Sequence, residues 1–324
     1  HWSGMMHRGA DAYAVPAGKK QQIVFDAKRI VNGYPQFLFC GGKDAKVTIT
    51  YFEKFLNRSE EIHRDDAEHG NIDGITDEVV LNGTELLYEP FWYRTFRFIS
   101  VEVETKEEEL VLKIPGFRKT GYPLEVCSKV GSTEKWVKEV WDMCVRTLEN
   151  CMMETYMDCP YYEQMQFPMD TRLQALFTYA ISGDTRMAKK ALEDYHCSML
   201  PCGLIPGKYP SAYLQVISTF SLHYIYMLKE YYWQTGDLKT VRNYFADMDR
   251  ILDYYDSKIG EDGMVGRLGY WEFVDWQPAW NSTSFGMPEA ILHGPSAIIN
   301  LMYCYALENA AQLNEYAGRK GMAD

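Results

Sequence analysis

The chain has 324 residues, which is enough for two domains with a large hydrophobic core. It is 47% hydrophobic and 15% aromatic, and its 45 acidic and 33 basic residues give a formal net charge of −12. This charge disfavours nucleic acid and anionic membranes as partners, and no apolar run reaches the roughly 18 residues that span a bilayer. The charge suits a neutral ligand, and the aromatic surplus could supply stacking platforms for sugars.

The first 125 residues predict strands. Apolar and polar residues partly alternate over residues 21–26, 46–52, 96–103 and 109–114. Gly, Asn and Asp fall between these stretches, as at Asn82-Gly83, and no helical period is sustained. We therefore predict an antiparallel β-sandwich as a first domain over residues 1–125.

The segment His63–His69 superficially resembles a metal site, since it combines two His with three acids. It is a polar loop with no evident regular element to bring the ligands together, so we interpret it as solvated surface. The eight cysteines lack the paired CxxC spacing of zinc sites. We predict neither a metal nor another cofactor.

After Pro123 the apolar residues recur at helical spacing. A first helix is predicted behind a candidate cap at Ser132, with an apolar face of Trp136, Val140, Cys144, Leu148 and Cys151. From Asp170 onward further helices are predicted, and the first of these has an apolar face of Leu173, Leu176, Phe177 and Ala180.

A Gly-Asp pair joins two helical stretches twice, at Gly183-Asp184 and Gly236-Asp237. Gly can end one helix in a left-handed conformation, and Asp can cap the next. Helix pairs joined in this way predict an array of αα-hairpins, and a helical toroid is the favoured form. The second predicted domain covers residues 126–324.

The segment 158–170 carries the strongest chemical signal. Asp158, Glu163 and Asp170 lie five and seven residues apart, among aromatic and amide side chains. Pro160 and Pro168 disfavour a regular helix, so the segment predicts a fixed irregular loop that presents acids in a partly desolvated setting. Such a setting raises a carboxyl pKa and suits a general acid, for which Glu163 is the candidate. The alternative is a connecting loop with capping Asp residues, and Asp170 is also a good helix N-cap.

A second cluster, Tyr270–Trp276 followed by Trp280, places three Trp and two acids within eleven residues. Trp side chains with adjacent carboxylates could form a sugar-stacking wall with acceptors for hydroxyl groups. Burial of these aromatic residues in the core is the alternative.

The pattern Asp-Cys-Pro-x-x-Glu at Asp158–Glu163, followed seven residues later by Asp170, resembles the active-site motif of the bacterial α-L-rhamnosidases. Residues 91–103 resemble the aromatic strand of the β-sandwich that precedes their catalytic domain. Residues 132–157 resemble an early helix of their (α/α)6 barrel, and residues 271–276 are similar to their Asp-Trp sugar-binding segment. Many members carry Arg next to the acid and Gly-Trp before the final Asp. The corresponding residues here are Tyr162, Gln164, Gln166, Phe167 and Met169, which indicates a different branch.

The resemblance implies a β-sandwich followed by the N-terminal part of an (α/α)6 toroid. It implies inverting hydrolysis of terminal α-L-rhamnosides, with Glu163 as the general acid. Five further residues would contact the rhamnose, namely Asp158, Asp170, Trp271, Asp275 and Trp276. In the family the general base lies far downstream, so we expect it outside this chain and expect the chain alone to be inactive. The chain also starts without Met, as if it were cut from a longer protein.

The expected ligand is a rhamnose-containing oligosaccharide or glycoside. One alternative is a carbohydrate-binding protein that has lost catalysis, and another is a different glycosidase with an (α/α)6 barrel. A homodimer stays open, as does the compartment, between bacterial periplasm and cytoplasm.

Overall fold

The computed structural model describes residues 12–113, 116–281 and 284–323. Contacts divide the chain into two compact units. The first extends to Tyr122 and also includes Pro160–Tyr162, and the second consists of Pro123–Cys159 and the residues from Glu163 onward. The first unit is built from strands and the second from helices, in agreement with the predicted fold class.

Eight strands among the described residues form an antiparallel sheet. They are β1 (Ala12–Val15), β2 (Lys20–Gly41), β3 (Lys46–Phe52), β4 (Ile75–Val80), β5 (Leu86–Tyr88), β6 (Arg94–Glu104), β7 (Leu110–Lys113) and β8 (Gly116–Lys119). Six of them follow the order β1-β7-β2-β6-β3-β4, while β5 and β8 pair with other parts of β2.

Strand β2 organises this unit because its 22 residues belong to two groups of strands. Its earlier part pairs with β6 and β8, and its end pairs with β5 and β7. A register shift between Asp26 and Val31 interrupts the pairing with β6. Strands of both groups share one core of buried residues, including Phe37, Phe39, Ile49, Phe96, Val101 and Leu112.

The predicted stretch 46–52 coincides with β3, and the other predicted stretches overlap β2, β6 and β7. Strand β4 was not predicted. It pairs only with β3 at the end of the strand order, and most of its side chains are exposed, so it lacks the hydrophobic alternation of a half-buried strand.

Two acids of the segment His63–His69 form ion pairs. Asp65 accepts a hydrogen bond from Arg97 at 2.5 Å, and Asp66 contacts Nδ1 of His69 at 2.9 Å. Throughout the described ranges, no group of three or more His, Cys, Asp or Glu side chains could hold a metal ion.

The second unit contains α1 (Lys135–Asn150), α2 (Pro168–Ile181), α3 (Arg186–Cys197), α4 (Phe220–Thr235), α5 (Leu238–Arg242), α6 (Phe245–Asp256), α7 (Pro278–Asn281), α8 (Ala297–Tyr316) and α9 (Lys320–Ala323), with a 3₁₀ helix at Glu289–Leu292. Helix α4 lies at the centre, where it packs against α2, α3, α5, α6 and α8. Its first nine residues, Phe220–Leu228, are all buried. Within the described residues, no helix combines the length and hydropathy needed to cross a membrane.

Both Gly-Asp pairs form the predicted turns. Gly236 ends α4 with φ at +67°, and Asp237 caps α5 by accepting a hydrogen bond from the Thr240 N–H at 3.0 Å. Gly183 follows α2 with φ at +71°, and Asp184 accepts from the Arg186 N–H at 3.0 Å. The N-cap residue of α3 is Thr185, however, so the pattern correctly predicts both turns but only one of the two caps.

The predicted apolar face of α1 is only partly buried. Leu148 and Cys151 are buried near its C-terminal end, whereas Trp136 and Val140 are 60% and 41% exposed. Ser132 does not cap the helix at the N-cap position, which belongs to Glu134, although its hydroxyl accepts from the Glu134 N–H. Periodicity thus predicts that the helix exists but not which turns pack.

The predicted apolar face of α2 is wrong. Leu173 and Phe177 are 42% and 56% exposed, while Thr171 and Thr178 are buried. Burial of a hydroxyl is tolerated where it is hydrogen bonded. Thr178 accepts from the Tyr156 hydroxyl and Thr171 from the Tyr195 hydroxyl, each at 3.0 Å.

The cap of α5 gives a test of the hairpin turn. Asp237→Ala removes the acceptor for the Thr240 N–H, so we expect a loss of about 1 kcal/mol in the free energy of unfolding. Asp237→Asn is the matched control, because Asn also caps helices, and it should retain most of that stability. Urea denaturation of the three proteins measures the effect. Equal stabilities for the Ala and Asn variants would contradict the capping role.

Candidate active site

Residues 158–167, here called the acid loop, form an irregular connection to α2. The prediction of an irregular segment fails at Pro168–Asp170, which form the first turn of α2. The loop closes on itself, since Asp158 N–H donates to the Met165 carbonyl and Met165 N–H donates to Oδ1 of Asp158, both at 2.9 Å. Between these ends Glu163 N–H contacts Sγ of Cys159 at 3.2 Å, and Gln164 adopts a left-handed φ of +57°. The loop thus presents Glu163 from a closed backbone turn.

Gln166 anchors the end of the acid loop. Its side chain is 2% exposed, and Nε2 donates to Asp194 Oδ2 of α3 at 3.0 Å and to the Tyr209 carbonyl at 2.9 Å. Its own carbonyl accepts from the Tyr209 N–H and from the Tyr195 hydroxyl, each at 3.2 Å. These four bonds join the acid loop to α3 and to the segment around residue 209.

A cavity of about 460 Å³ opens beside the acid loop, within the second unit. All six predicted site residues line it, namely Asp158, Glu163, Asp170, Trp271, Asp275 and Trp276. Seven further residues complete the lining: Phe167, Met169, Lys208, Gln215, Ile217, Phe220 and Phe273. The fold therefore brings together two segments that are about 100 residues apart in the sequence.

The carboxylates of the cavity influence one another. Partial burial raises the pKa of Glu163 above its usual value, and the charge of Asp158 raises it further, while Lys208 acts in the opposite direction. Burial also raises the pKa of Asp170 to about 6, with further contributions from Asp158, Glu163 and Asp275. The cavity thus favours the protonated forms of Glu163 and Asp170 more than water does.

Asp170 is not a helix cap. Helix α2 begins at Pro168, its N-cap residue is Phe167, and Asp170 is the third residue of the first turn. The partial positive charge at a helix N-terminus is favourable for a carboxylate, and it opposes the burial that raises the pKa of Asp170. The interpretation of Asp170 as a cap is therefore wrong, and its side chain lines the cavity instead.

Trp271, Phe273 and Trp276, here called the aromatic wall, form one side of the cavity. Ring centroids lie 5.0 Å apart for Trp271 and Phe273, 5.1 Å for Phe273 and Trp276, and 6.0 Å for the two Trp. Phe273 is buried, but Trp276 is 58% exposed, so burial in the core does not account for the whole cluster. An exposed indole at a cavity offers a face for stacking.

The two acids of this segment have different environments. Asp275 lines the cavity and accepts from the Trp276 N–H at 2.7 Å. Glu272 is fully buried, and its Oε1 accepts from Arg267 at 2.8 Å and from the Leu268 N–H at 3.1 Å. One of the two predicted hydroxyl acceptors therefore stabilises the fold instead.

Backbone contacts hold the aromatic wall in place. Ser218 N–H donates to the Trp271 carbonyl at 3.0 Å, beside an isolated parallel bridge between Ile217 and Trp271. On the other side, the N–H groups of Val274 and Asp275 both donate to the Gly286 carbonyl, at 2.9 and 3.2 Å. The wall is thus fixed between the start of α4 and the segment around residue 286.

Comparison with protein families identifies the helical unit. Residues 126–324 match the model of the bacterial alpha-L-rhamnosidase six-hairpin glycosidase domain. The chain belongs to this family. No curated protein matches the chain by sequence.

Solved structures share the fold. A GH78 family rhamnosidase of Bacillus sp. GL1 matches 97% of this chain with a TM-score of 0.84 and 20% identity, and the chain covers 31% of that protein. A rhamnosidase from Klebsiella oxytoca with rhamnose bound matches 96% with a TM-score of 0.74 and 18% identity, with 62% of that protein covered. A Streptomyces avermitilis α-L-rhamnosidase complexed with L-rhamnose matches 94% with a TM-score of 0.62 and 15% identity, with 29% covered. The chain thus spans about one to two thirds of the length of these three relatives.

Sequence reasoning missed Lys208, Gln215, Ile217 and Phe220 as parts of the cavity. They lie at the start of α4 and in the segment that precedes it. No motif marks this segment, because its residues reach the cavity through the bonds of Gln166 and the bridge between Ile217 and Trp271. Family membership alone does not supply these positions.

Gly286 gives a test of how the aromatic wall is supported. Its φ is +73°, and a Cβ there would lie 2.4 Å from the Phe273 ring and 2.9 Å from the Asp275 carbonyl oxygen. Gly286→Ala should therefore lower the free energy of unfolding by at least about 1 kcal/mol. Gly294→Ala is the control, since no heavy atom lies within 4 Å of a Cβ at Gly294. Urea denaturation should separate the two variants, and equal stabilities would contradict the tight packing.

The raised pKa of Asp170 gives a pH-dependent test. Burial raises this pKa to about 6 from 3.8, so between these values the folded protein keeps a proton that the unfolded chain releases. The contribution of Asp170 to stability therefore falls as the pH rises through this window. Relative to wild type, Asp170→Asn should gain stability between about pH 4 and pH 6 and then level off. Urea denaturation across that range measures the difference.

Glu261→Gln is the control for the loss of one negative charge, because Glu261 is an exposed acid outside the cavity. Its stability difference from wild type should show no comparable rise. A difference between Asp170→Asn and wild type that stays constant with pH would exclude a raised pKa at Asp170.

Proposed function

We propose that this chain carries the general-acid half of an inverting α-L-rhamnosidase site, with residues 126–324 as the N-terminal part of an (α/α)6 barrel. One observation carries the proposal most directly. The acid loop and the aromatic wall, which sequence reasoning selected independently, line a single cavity that holds four carboxylates and two Trp side chains. Membership in the rhamnosidase family supports the substrate class.

In the proposed reaction Glu163 protonates the glycosidic oxygen as its bond to the anomeric carbon breaks. Two effects suit Glu163 to this role. Burial and the neighbouring Asp158 both raise its pKa, which keeps a larger fraction of the carboxyl group protonated near neutral pH. Its position on an irregular loop leaves the carboxyl group exposed to an entering substrate.

The remaining residues of the cavity would bind the sugar. Asp158, Asp170 and Asp275 would accept hydrogen bonds from hydroxyl groups of the rhamnose, because a carboxylate accepts such bonds more strongly than a neutral oxygen does. Trp271 and Trp276 would stack on its apolar faces. Asp158 has one oxygen already bonded to the Met165 N–H, so its orientation is set before substrate arrives.

Inversion also requires a base that activates water on the opposite face of the sugar. We propose that this base lies outside the 324 residues, as the family resemblance implies. The chain alone would then bind rhamnosides without hydrolysing them. Two of the related structures contain bound rhamnose. We extend this ligand to the present chain as part of the proposal.

There are two alternative functions. One is carbohydrate binding without catalysis in the same cavity, and the departures of the acid loop from the family motif are the reason to test it. A different glycosidase of the same fold would prefer another sugar.

Replacement of the proposed acid tests the mechanism. In the natural protein as its gene encodes it, Glu163→Gln should reduce hydrolysis of an aryl α-L-rhamnoside by at least about 10²-fold, because Gln cannot donate the proton. L-Rhamnose affinity, measured by quenching of Trp fluorescence, should change little. Glu154→Gln is the control, since Glu154 is an exposed acid outside the cavity.

The outcomes separate the readings. Full activity of Glu163→Gln would exclude Glu163 as the acid. A wild-type protein that binds rhamnose but never releases it from a glycoside would favour the binding protein. Turnover of another aryl glycoside in preference to the rhamnoside would favour a different glycosidase.

A further inference from the structure

Among the described residues that line the cavity, Lys208 is the only basic one. Its side chain is partly buried, and Nζ lies 5.7 Å from the centroid of the Phe167 ring. Lys208 thus places a cation, in contact with an aromatic ring, in a cavity that holds four carboxylates.

The backbone on both sides of Lys208 is fixed. Gly207 N–H donates to the Gln215 carbonyl at 2.7 Å, and Tyr209 exchanges two hydrogen bonds with Gln166, at 3.2 and 2.9 Å. A Cβ at Gly207 would lie 2.6 Å from Cγ1 of Ile217, so the backbone at Gly207 packs closely against a residue that lines the cavity. Lys208 therefore extends from a constrained segment that is bonded directly to the acid loop.

The existing acids do not hold the ammonium group of Lys208. Across the described residues it forms no ion pair within 4.0 Å and no side-chain hydrogen bond, although Asp158, Glu163, Asp170 and Asp275 share the cavity with it. Its charge nevertheless lowers the pKa of Glu163, against the effects of burial and Asp158. Lys208 thus opposes the protonation that a general acid needs.

We propose that Lys208 binds an anionic group of the leaving sugar, namely the carboxylate of a uronic acid to which the rhamnose is attached. The inference rests on the proposed function, because it places the leaving sugar beside Glu163. The oxygen that Glu163 protonates remains with that sugar, so a cation near Glu163 lies near the leaving sugar. The substrate class is therefore a rhamnosyl uronate.

The charge distribution makes Lys208 the determinant of this preference. The other ionisable groups of the described lining are all acids, and the chain carries a net charge of −12, so an anion would be repelled elsewhere in the cavity. A carboxylate bound to Lys208 would also compensate the ammonium charge. This removes the influence that lowers the pKa of Glu163, so the bound acidic substrate favours the protonated acid.

Calorimetric titration tests the proposal with two matched probes. One is an α-L-rhamnosyl-D-glucuronic acid disaccharide, and the other is its methyl ester, which has nearly the same shape without the charge. We expect wild type and Lys208→Arg to bind the acid roughly tenfold more tightly than the ester, as one charge-assisted hydrogen bond allows. Lys208→Met should lose this preference while still binding the ester, which also shows that the variant is folded.

Three results would overturn the proposal: a wild type that does not bind the acid, one that binds acid and ester equally, or a Lys208→Met variant that keeps the preference. Salt adds a readout, since the preference should weaken as ionic strength rises. The affinity ratio does not depend on turnover. Failure of the rhamnosidase assignment would instead appear as an absence of hydrolysis of the aryl rhamnoside by the natural protein.

Discussion

The geometry of the site depends on the hydrogen bonds of the buried Gln166 side-chain amide. An amide group in the protein interior is stable only when its polar atoms are hydrogen bonded, and here Nε2 donates to both Asp194 and the Tyr209 carbonyl. This requirement fixes the acid loop relative to α3 and to the segment that carries Lys208. An apolar residue of similar size would fill the volume but would leave the Tyr209 carbonyl and Asp194 without this partner.

Burial, more than any single neighbour, raises the pKa of two carboxyl groups in the cavity. It is the largest cause of the raised pKa of both Glu163 and Asp170, and the nearby carboxylates add to it. A cavity that collects acids therefore reinforces its own tendency to hold protons, because each additional negative charge disfavours the next. Lys208 acts against this tendency, which is why its compensation by a bound anion has a chemical consequence at Glu163.

Sequence patterns predict the local features better than the packing. The turns at Gly183 and Gly236 are correct, since a left-handed Gly at the end of a helix is determined by neighbouring residues, although only Asp237 caps the helix that follows. The buried face of α2 is not predicted, because Thr171 and Thr178 are buried only through hydroxyl partners from distant residues. For the same reason the six cavity residues could be chosen as two separate clusters, whereas Lys208 could not be found at all.

The aromatic wall shows how one short segment serves both stability and binding. Trp271 and Phe273 line the cavity, whereas the intervening Glu272 does not. Glu272 is buried, and its pairing with Arg267 and the Leu268 N–H offsets part of the cost of removing a carboxylate from water. If Glu272 instead faced the cavity, it would add a fifth carboxylate and oppose the binding of any anion. The orientation of this single side chain thus keeps the cavity at four carboxylates and leaves the charge of Lys208 available to an anion.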